Sequence, residues 1–209
     1  MKKFESDYFR ARLIICLNRA STLSANEEIM ETAIALKEKM HPYIVGIDFC
    51  GDPTKGRFRD IEKLFIKARA AGYKITLHAG EIANYPDNDD IIAFRPDRLG
   101  HCAEFTEEQI ENLKKLRIPI ESCPTSNLFT LTKGSYKDVP NIGWMKESNY
   151  PFSLCTDDTI LFNNDTIAER FEVARAFHYN ESQIMELERN VVNFIFDEES
   201  KSWLSKLME

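Results

Sequence analysis

The chain has 209 residues, with 27 basic against 34 acidic side chains, a formal charge of −7, and 43% hydrophobic residues. That is enough for one good core or two small ones, and too ordinary a composition for a disordered chain. The acidic balance argues against nucleic-acid or anionic-membrane partners, and the longest wholly apolar run, residues 13–17, is too short for a transmembrane helix.

In chain order, short apolar runs alternate with amphipathic stretches. Residues 13–17, 44–49, 74–78, 98–101, 118–123 and 152–155 read as strands. Helices are expected over 26–40, capped by Ser24 or Asn26, over 60–71, closed by Gly72, over 106–116, opened by Thr106 and two acids, and over 164–177. Residues 182–196 and 199–207 read as terminal helices, and no strand pattern follows Cys155. Strand–helix alternation implies parallel strands joined by crossover helices, and apolar runs without a period of two suit strands covered on both faces. An open doubly wound sheet and a (β/α) barrel both fit. No glycine-rich nucleotide motif follows any strand, and no linker, repeat or low-complexity segment divides the chain, so one domain over residues 1–209 is expected.

The five cysteines, Cys16, Cys50, Cys102, Cys123 and Cys155, are odd in number and show no Cys-x-x-Cys spacing. They read as small hydrophobes rather than as a disulfide framework or a thiolate zinc site. With the charged start Met1-Lys2-Lys3-Phe4-Glu5, which has no apolar signal core, they point to the cytoplasm.

Polar residues gather where the strands end. Asp48 leads into Gly51-Asp52-Pro53, the third run into His78-Ala79-Gly80-Glu81, the fourth into Gly100-His101, the fifth into Pro124-Thr125-Ser126-Asn127, and the sixth into Thr156-Asp157-Asp158. In a parallel barrel these positions share the rim that carries active sites. Each residue also has a plainer reading. A strand-end histidine such as His78 or His101 can be a hydrogen-bonded core imidazole. Glu81 can be a solvated loop acid, one of the two aspartates a helix cap, and Gly51 a turn glycine. Adjacent carboxylates at the end of an apolar strand are costly unless a metal, a cation or donors meet them. Imidazole and carboxylate are zinc ligands, and a nearby glutamate can move protons, so the rim reads as metal-assisted hydrolysis.

The ordered set His78-Ala79-Gly80-Glu81, Arg98-Leu99-Gly100-His101, Glu121-Ser122-Cys123-Pro124-Thr125-Ser126-Asn127 and Thr156-Asp157-Asp158 resembles the adenosine deaminase family. Gly51-Asp52-Pro53 and Cys155-Thr156-Asp157-Asp158 are similar to its adenosine deaminase-like subgroup, which acts on N6-methyl-AMP and related purine nucleotides. The resemblance implies a TIM-type (β/α) barrel of the metal-dependent hydrolase kind with one catalytic zinc. His78 and Asp157 would be metal ligands. Glu81 would protonate purine N1, and His101 would orient and deprotonate the attacking water. Asp158 would hydrogen-bond the purine, and Gly51 would offer its backbone to it. The partner implied is a purine nucleoside or nucleotide, with N6-methyl-AMP, AMP and adenosine all in the class.

The family's first strand carries a His-x-His that supplies two more zinc ligands. Here the four histidines are His41, His78, His101 and His178, and none form that motif. Run 13–17 resembles the third barrel strand, so six strands are expected where a closed barrel has about eight. The expectation is an incomplete barrel with C-terminal helices, weak or absent zinc binding, and little activity of the 209 residues alone. The unpaired strands 13–17 and 152–155 are expected to be exposed sheet edges prone to self-association. The competing readings are a non-catalytic purine-binding or regulatory pseudoenzyme, and an unrelated α/β domain whose strand ends are caps and turns.

Overall fold

A computed structural model describes residues 5–208. In chain order the elements are β1 (Leu13–Asn18), α1 (Leu23–Met40), β2 (Ile44–Cys50), α2 (Phe58–Ala70), β3 (Lys74–Ala79), α3 (Tyr85–Phe94), β4 (Arg98–His101), α4 (Glu107–Leu116), β5 (Ile120–Ser122), α5 (Pro124–Thr130), α6 (Pro140–Glu147), β6 (Phe152–Leu154), α7 (Thr159–Phe162), α8 (Thr166–Phe177), α9 (Glu181–Val191) and α10 (Glu198–Leu207). Short 3-10 turns at Tyr136–Asp138 and Val192–Phe194 complete the order. The six parallel strands and intervening helices are the alternation of a (β/α) barrel, with six strands among the described residues where a closed barrel has eight. No helix among the described residues is long and apolar enough to cross a membrane.

The chain forms two compact units, Met1–Leu77 with Ile195–Glu209, and His78–Phe194. The division falls inside β3, where no change of composition marks it. Within each unit the strands neighbour one another in sequence order and pair in parallel.

In the first unit, β1 and β2 run in register, Cys16 opposite Asp48 and Asn18 opposite Cys50. Alternate residues of a strand face opposite ways. Ile47 and Phe49 therefore turn together toward α2, and Asp48 and Cys50 turn away. Phe49, Phe58 and Phe65 are at most 1% exposed, with ring centroids 5.5–6.3 Å apart. Each such ring removes a large apolar surface from water and adds an edge contact. The N-cap of α1 is Thr22, whose hydroxyl accepts from the Ala25 amide, rather than Ser24 or Asn26. Asn26 is instead buried and ties the end of β1, donating to the Asn18 carbonyl at 3.0 Å.

Cys16 and Cys50 form a disulfide, which corrects the expectation that no cysteines pair. Neighbouring parallel strands place them on one face with Cα atoms 6.1 Å apart, within the usual bridging range. Their separation of 34 residues crosses a whole helix, which is why no local spacing announced it.

Asp197 anchors the chain's return to the first unit. Its carboxylate caps α10 at the Ser200 amide, 3.0 Å away, and accepts from Arg12 Nε at 2.9 Å. Burial pushes its pKa up, but the Ser200 donors and then Arg12 outweigh this and hold it below the usual aspartate range. A depressed folded pKa contributes stability above the unfolded value that is lost as pH falls through the folded one. Asp197→Ala is expected to cost about 2 kcal/mol at neutral pH, from the lost cap and ion pair. Urea midpoints at pH 7 and pH 3 check this, and the gap between variant and parent should narrow at the acidic end.

In the second unit, β4, β5 and β6 carry Leu99, Ile120 and Phe152, each at most 3% exposed. Thr106 and Gln109 form a reciprocal capping box at the start of α4. Phe152–Leu154 is buried, packed by α8 and α9. It stands at the edge of the sheet, as expected of 152–155, but its side chains are buried rather than exposed. The C-terminal helices cover its side chains, although β5 is its only strand neighbour among the described residues. Strand β1 fits the expectation only in part: Leu13 is 47% exposed, whereas Leu17 is fully buried.

Candidate functional site

The ends of β3 and β4 bring two imidazoles together. The rings of His78 and His101 lie 5.2 Å apart. The chain then turns sharply. Gly80 has φ +64°, its amide donates to Asn88 Oδ1 at 3.0 Å, and its carbonyl accepts from the Ala103 and Glu104 amides. Gly80 also lies against Phe105, 2.7 Å from where a Cβ would stand. The turn delivers Glu81 to within 3.8 Å of His101 Nε2.

Asp157 arrives from the end of β6 with φ +56°, its carboxylate 4.0 Å from the same Nε2. His78, Glu81 and His101 each offer a ligand atom within 4.8 Å of the others, and so do His101, Cys123 and Asp157. His101 is the shared member. It is 2% exposed and, like Asp157, has a left-handed backbone, a conformation usually seen where the surroundings hold it.

Those surroundings are specific. Asn141 Nδ2 donates to the His101 carbonyl at 2.6 Å and to Ser122 Oγ at 3.2 Å. Asn127 Nδ2 lies 3.2 Å from His101 Nδ1. Burial, then the neighbouring His78 ring, pushes the His101 imidazole down to about 4, against the pull of Asp157 and the Asn127 bond. The ring is therefore neutral at neutral pH, and the face of the Asn127 amide that meets Nδ1 decides the tautomer. An amide donating to Nδ1 leaves the proton on Nε2. An amide turned to present Oδ1 leaves a basic lone pair on Nε2, facing Glu81 and Asp157.

Cys123 lies beside His101 and Asp157, and its hydrogen bond with the Cys155 sulfur, then burial, push its thiol pKa well up.

Asp158 is exposed at the N-cap of α7, where its side chain makes no capping bond. Gly51 belongs to the first unit. Its φ of +102°, followed by an Asp52 turn that accepts from the Thr54 amide at 2.9 Å and hydroxyl at 2.7 Å, is turn geometry. His41 and His178 close α1 and α8. Asn141 and the role of Asn127 were not anticipated. Asn127 lies in a motif whose strand-end position was plain, but only the helix that starts at Pro124 turns its side chain toward His101.

Gly80→Ala tests the turn. A Cβ would press on Phe105 in a left-handed backbone, so the expected cost is about 1–3 kcal/mol. The Glu81–His101 approach should loosen with it, read as a shift in the His101 imidazole NMR signals alongside the melting temperature.

The adenosine deaminase family profile matches residues 3–209. The chain belongs to the adenosine deaminase family. It is 31% identical over 190 residues to an adenosine deaminase-like protein of Drosophila pseudoobscura pseudoobscura, covering 91% of this chain and 56% of that one. It is 30% identical over 188 residues to an N6-methyl-AMP deaminase-L of Xenopus laevis, covering 88% and 54%. Among solved structures it resembles the Arabidopsis ADAL protein complexed with IMP, with a TM-score of 0.86 and 30% identity over 94% of this chain and 57% of that one. The chain thus spans a little over half the length of these relatives. Membership makes it part of a deaminase lineage, and the same likeness confirms the barrel-type fold expected of the strand–helix alternation.

Proposed function

We propose that this chain supplies the proton-transfer residues and part of the metal site of a zinc-dependent hydrolytic deaminase acting at purine C6, with N6-methyl-AMP as substrate and IMP and methylamine as products. The observation that carries this reading is the meeting of Glu81, Asp157 and the His78 ring around one buried, neutral His101. The substrate follows the N6-methyl-AMP deaminase of Xenopus and the IMP complex of the Arabidopsis protein.

The donors fit zinc in kind: His78 and Asp157 offer the imidazole and carboxylate that zinc takes. When bound, the ion supplies Lewis acidity that brings the pKa of a water to about 7. The other steps belong to the chain. Glu81 delivers a proton to purine N1, which makes C6 electrophilic. His101, with the Asn127 amide turned to present Oδ1 to Nδ1 and so free the Nε2 lone pair, takes the proton of the attacking water. Asp158 hydrogen-bonds the purine and steadies that water. The water oxygen bonds to C6, the proton held by His101 passes to the exocyclic nitrogen, the C6–nitrogen bond breaks, and methylamine leaves as the remaining hydroxyl proton returns to Glu81.

A second reading has an observation of its own. The 209 residues contain no His-x-His, so His78 and Asp157 are the matching ligands, where a catalytic zinc takes about three. On that reading the chain binds purine nucleotides without turning them over. Chromatography of N6-methyl-AMP, AMP and adenosine incubated with zinc and this chain, alone and supplied with a His-x-His strand, separates the two. IMP from N6-methyl-AMP in the supplied form supports the deaminase. IMP binding without product from any of the three in either form supports the binding protein.

A further inference from the structure

We propose that the first unit carries a redox-gated site for a zinc-class divalent cation, built from Cys16, Asp48 and Cys50, which takes the ion when the two cysteines are reduced and releases it when they join. The register of β1 and β2 sets Cys16 opposite Asp48, and Cys50 follows Asp48 by two residues, so all three side chains leave the same face of the sheet. That face is turned away from Ile47 and Phe49, which fill the core. The ligand atoms of the three lie within 4.8 Å of one another. Bond lengths of roughly 2.3 Å to sulfur and 2.0–2.2 Å to oxygen, at tetrahedral angles, require ligand atoms about 3.4–3.8 Å apart. With Cα atoms 6.1 Å apart, the two sulfurs reach that spacing by turning about χ1, without moving the strands.

Each group has a reason to favour a cation. Asp48 is only 7% exposed and brings a carboxylate oxygen, a ligand type that zinc takes, beside the two sulfurs. The cysteines are half-buried, open enough for exchange with solvent species. Two thiolates and a carboxylate are a borderline-soft set that selects zinc over magnesium or calcium, and a water completes four-coordination.

The gate is thiol–disulfide exchange with a small-molecule disulfide as oxidant. One cysteine thiolate attacks the small disulfide, forming a mixed disulfide and expelling one small thiolate. The other cysteine thiolate then attacks the protein sulfur of that mixed disulfide, forming the Cys16–Cys50 bond and expelling the second small thiolate. Two protein thiolates lose two electrons, the small disulfide gains them, and the cation leaves as its aquo ion because its sulfur donors are consumed. Two equivalents of a monothiol reverse the sequence.

The test uses the whole chain with cobalt(II) as a spectroscopic stand-in for zinc. The phosphine-reduced, anaerobic protein should bind one cobalt with a near-ultraviolet thiolate-to-cobalt band that zinc abolishes. Oxidised glutathione should remove the band while the mass falls by two hydrogens. Cys16→Ser and Cys50→Ser should each lose the band, and Asp48→Asn should weaken binding at least tenfold while still forming the disulfide. A reduced wild-type protein that binds cobalt without a thiolate band overturns the proposal. So does a band that survives oxidation, or one that persists in both serine variants and thus belongs to Cys123 or Cys155. The wild-type redox comparison decides the matter even if a serine variant fails to fold.

Discussion

Replacing Glu81 by glutamine, in zinc-loaded protein supplied with a His-x-His strand, is expected to lower turnover of N6-methyl-AMP about 10²–10⁴-fold, the usual contribution of a general acid or base. Bound zinc should stay unchanged. Glutamine keeps the shape of the side chain beside His101 and cannot hand a proton to the purine ring. His78→Ala should lose zinc and turnover together, because the imidazole is read as a ligand. The paired measurement is metal content by atomic absorption beside methylamine release. A Glu81→Gln protein that loses its zinc would reassign Glu81 as a ligand, which its position within 4.8 Å of both His78 and His101 allows geometrically. A Glu81→Gln protein that keeps full turnover would remove the proton-transfer role altogether. The 209 residues alone should give neither result, since the matching ligands are His78 and Asp157 and turnover is expected to be little or none.

What the sequence revealed, and what it hid, follows the reach of each interaction. Strand positions were legible because parallel strands covered on both faces are near-continuously apolar, as at Ile44–Cys50, where Asp48 alone carries a charge. Helix α4 was legible because Thr106 and Gln109 cap it through their own neighbours in sequence. Helices α5 and α6 left little trace: they are short and begin at Pro124 and Pro140, so there is hardly a full period of pattern to read. His78, Glu81, His101 and Asp157 could be found because parallel topology collects strand ends on one rim. The packing around them could not. Asn141 holds the His101 carbonyl across 40 residues, and Cys16 meets Cys50 across a strand register that no local spacing encodes. Residue types at strand ends point to the chemistry. The residues that fix its geometry come from elements far away in the chain, and their identity depends on packing.

Glu169 is the strongest case of such a distant support, and Glu169→Ala is expected to cost about 1–3 kcal/mol, the usual cost of a buried donor left without a partner. The residue is 1% exposed on α8. One oxygen accepts from the Thr125 amide at 2.7 Å. The other accepts from the Thr125 hydroxyl and from Asn164 Nδ2, the latter at 3.2 Å. Removal therefore strands the Thr125 amide at the start of α5, the helix that presents Asn127 to His101, and takes one partner each from the Thr125 hydroxyl, which keeps Tyr136, and from Asn164 Nδ2, which keeps the Thr156 carbonyl. Urea unfolding should show the loss, and the His101 imidazole signals should shift with it. The charge has its own signature. Burial raises the Glu169 pKa despite the bonds from Thr125 and Asn164. A raised folded pKa contributes stability that is fully present below the unfolded glutamate value and is lost as pH rises through the folded one. Glu169→Gln, which keeps an acceptor for the Thr125 amide and carries no charge, should cost less than alanine and should lack that pH dependence. Across the range from about pH 4 upward, where a free glutamate titrates, wild type should therefore lose stability relative to Glu169→Gln. Parallel stability curves for the two proteins would show that Glu169 titrates alike folded and unfolded, and a glutamine variant as unstable as alanine would show that the charge itself holds Thr125 in place.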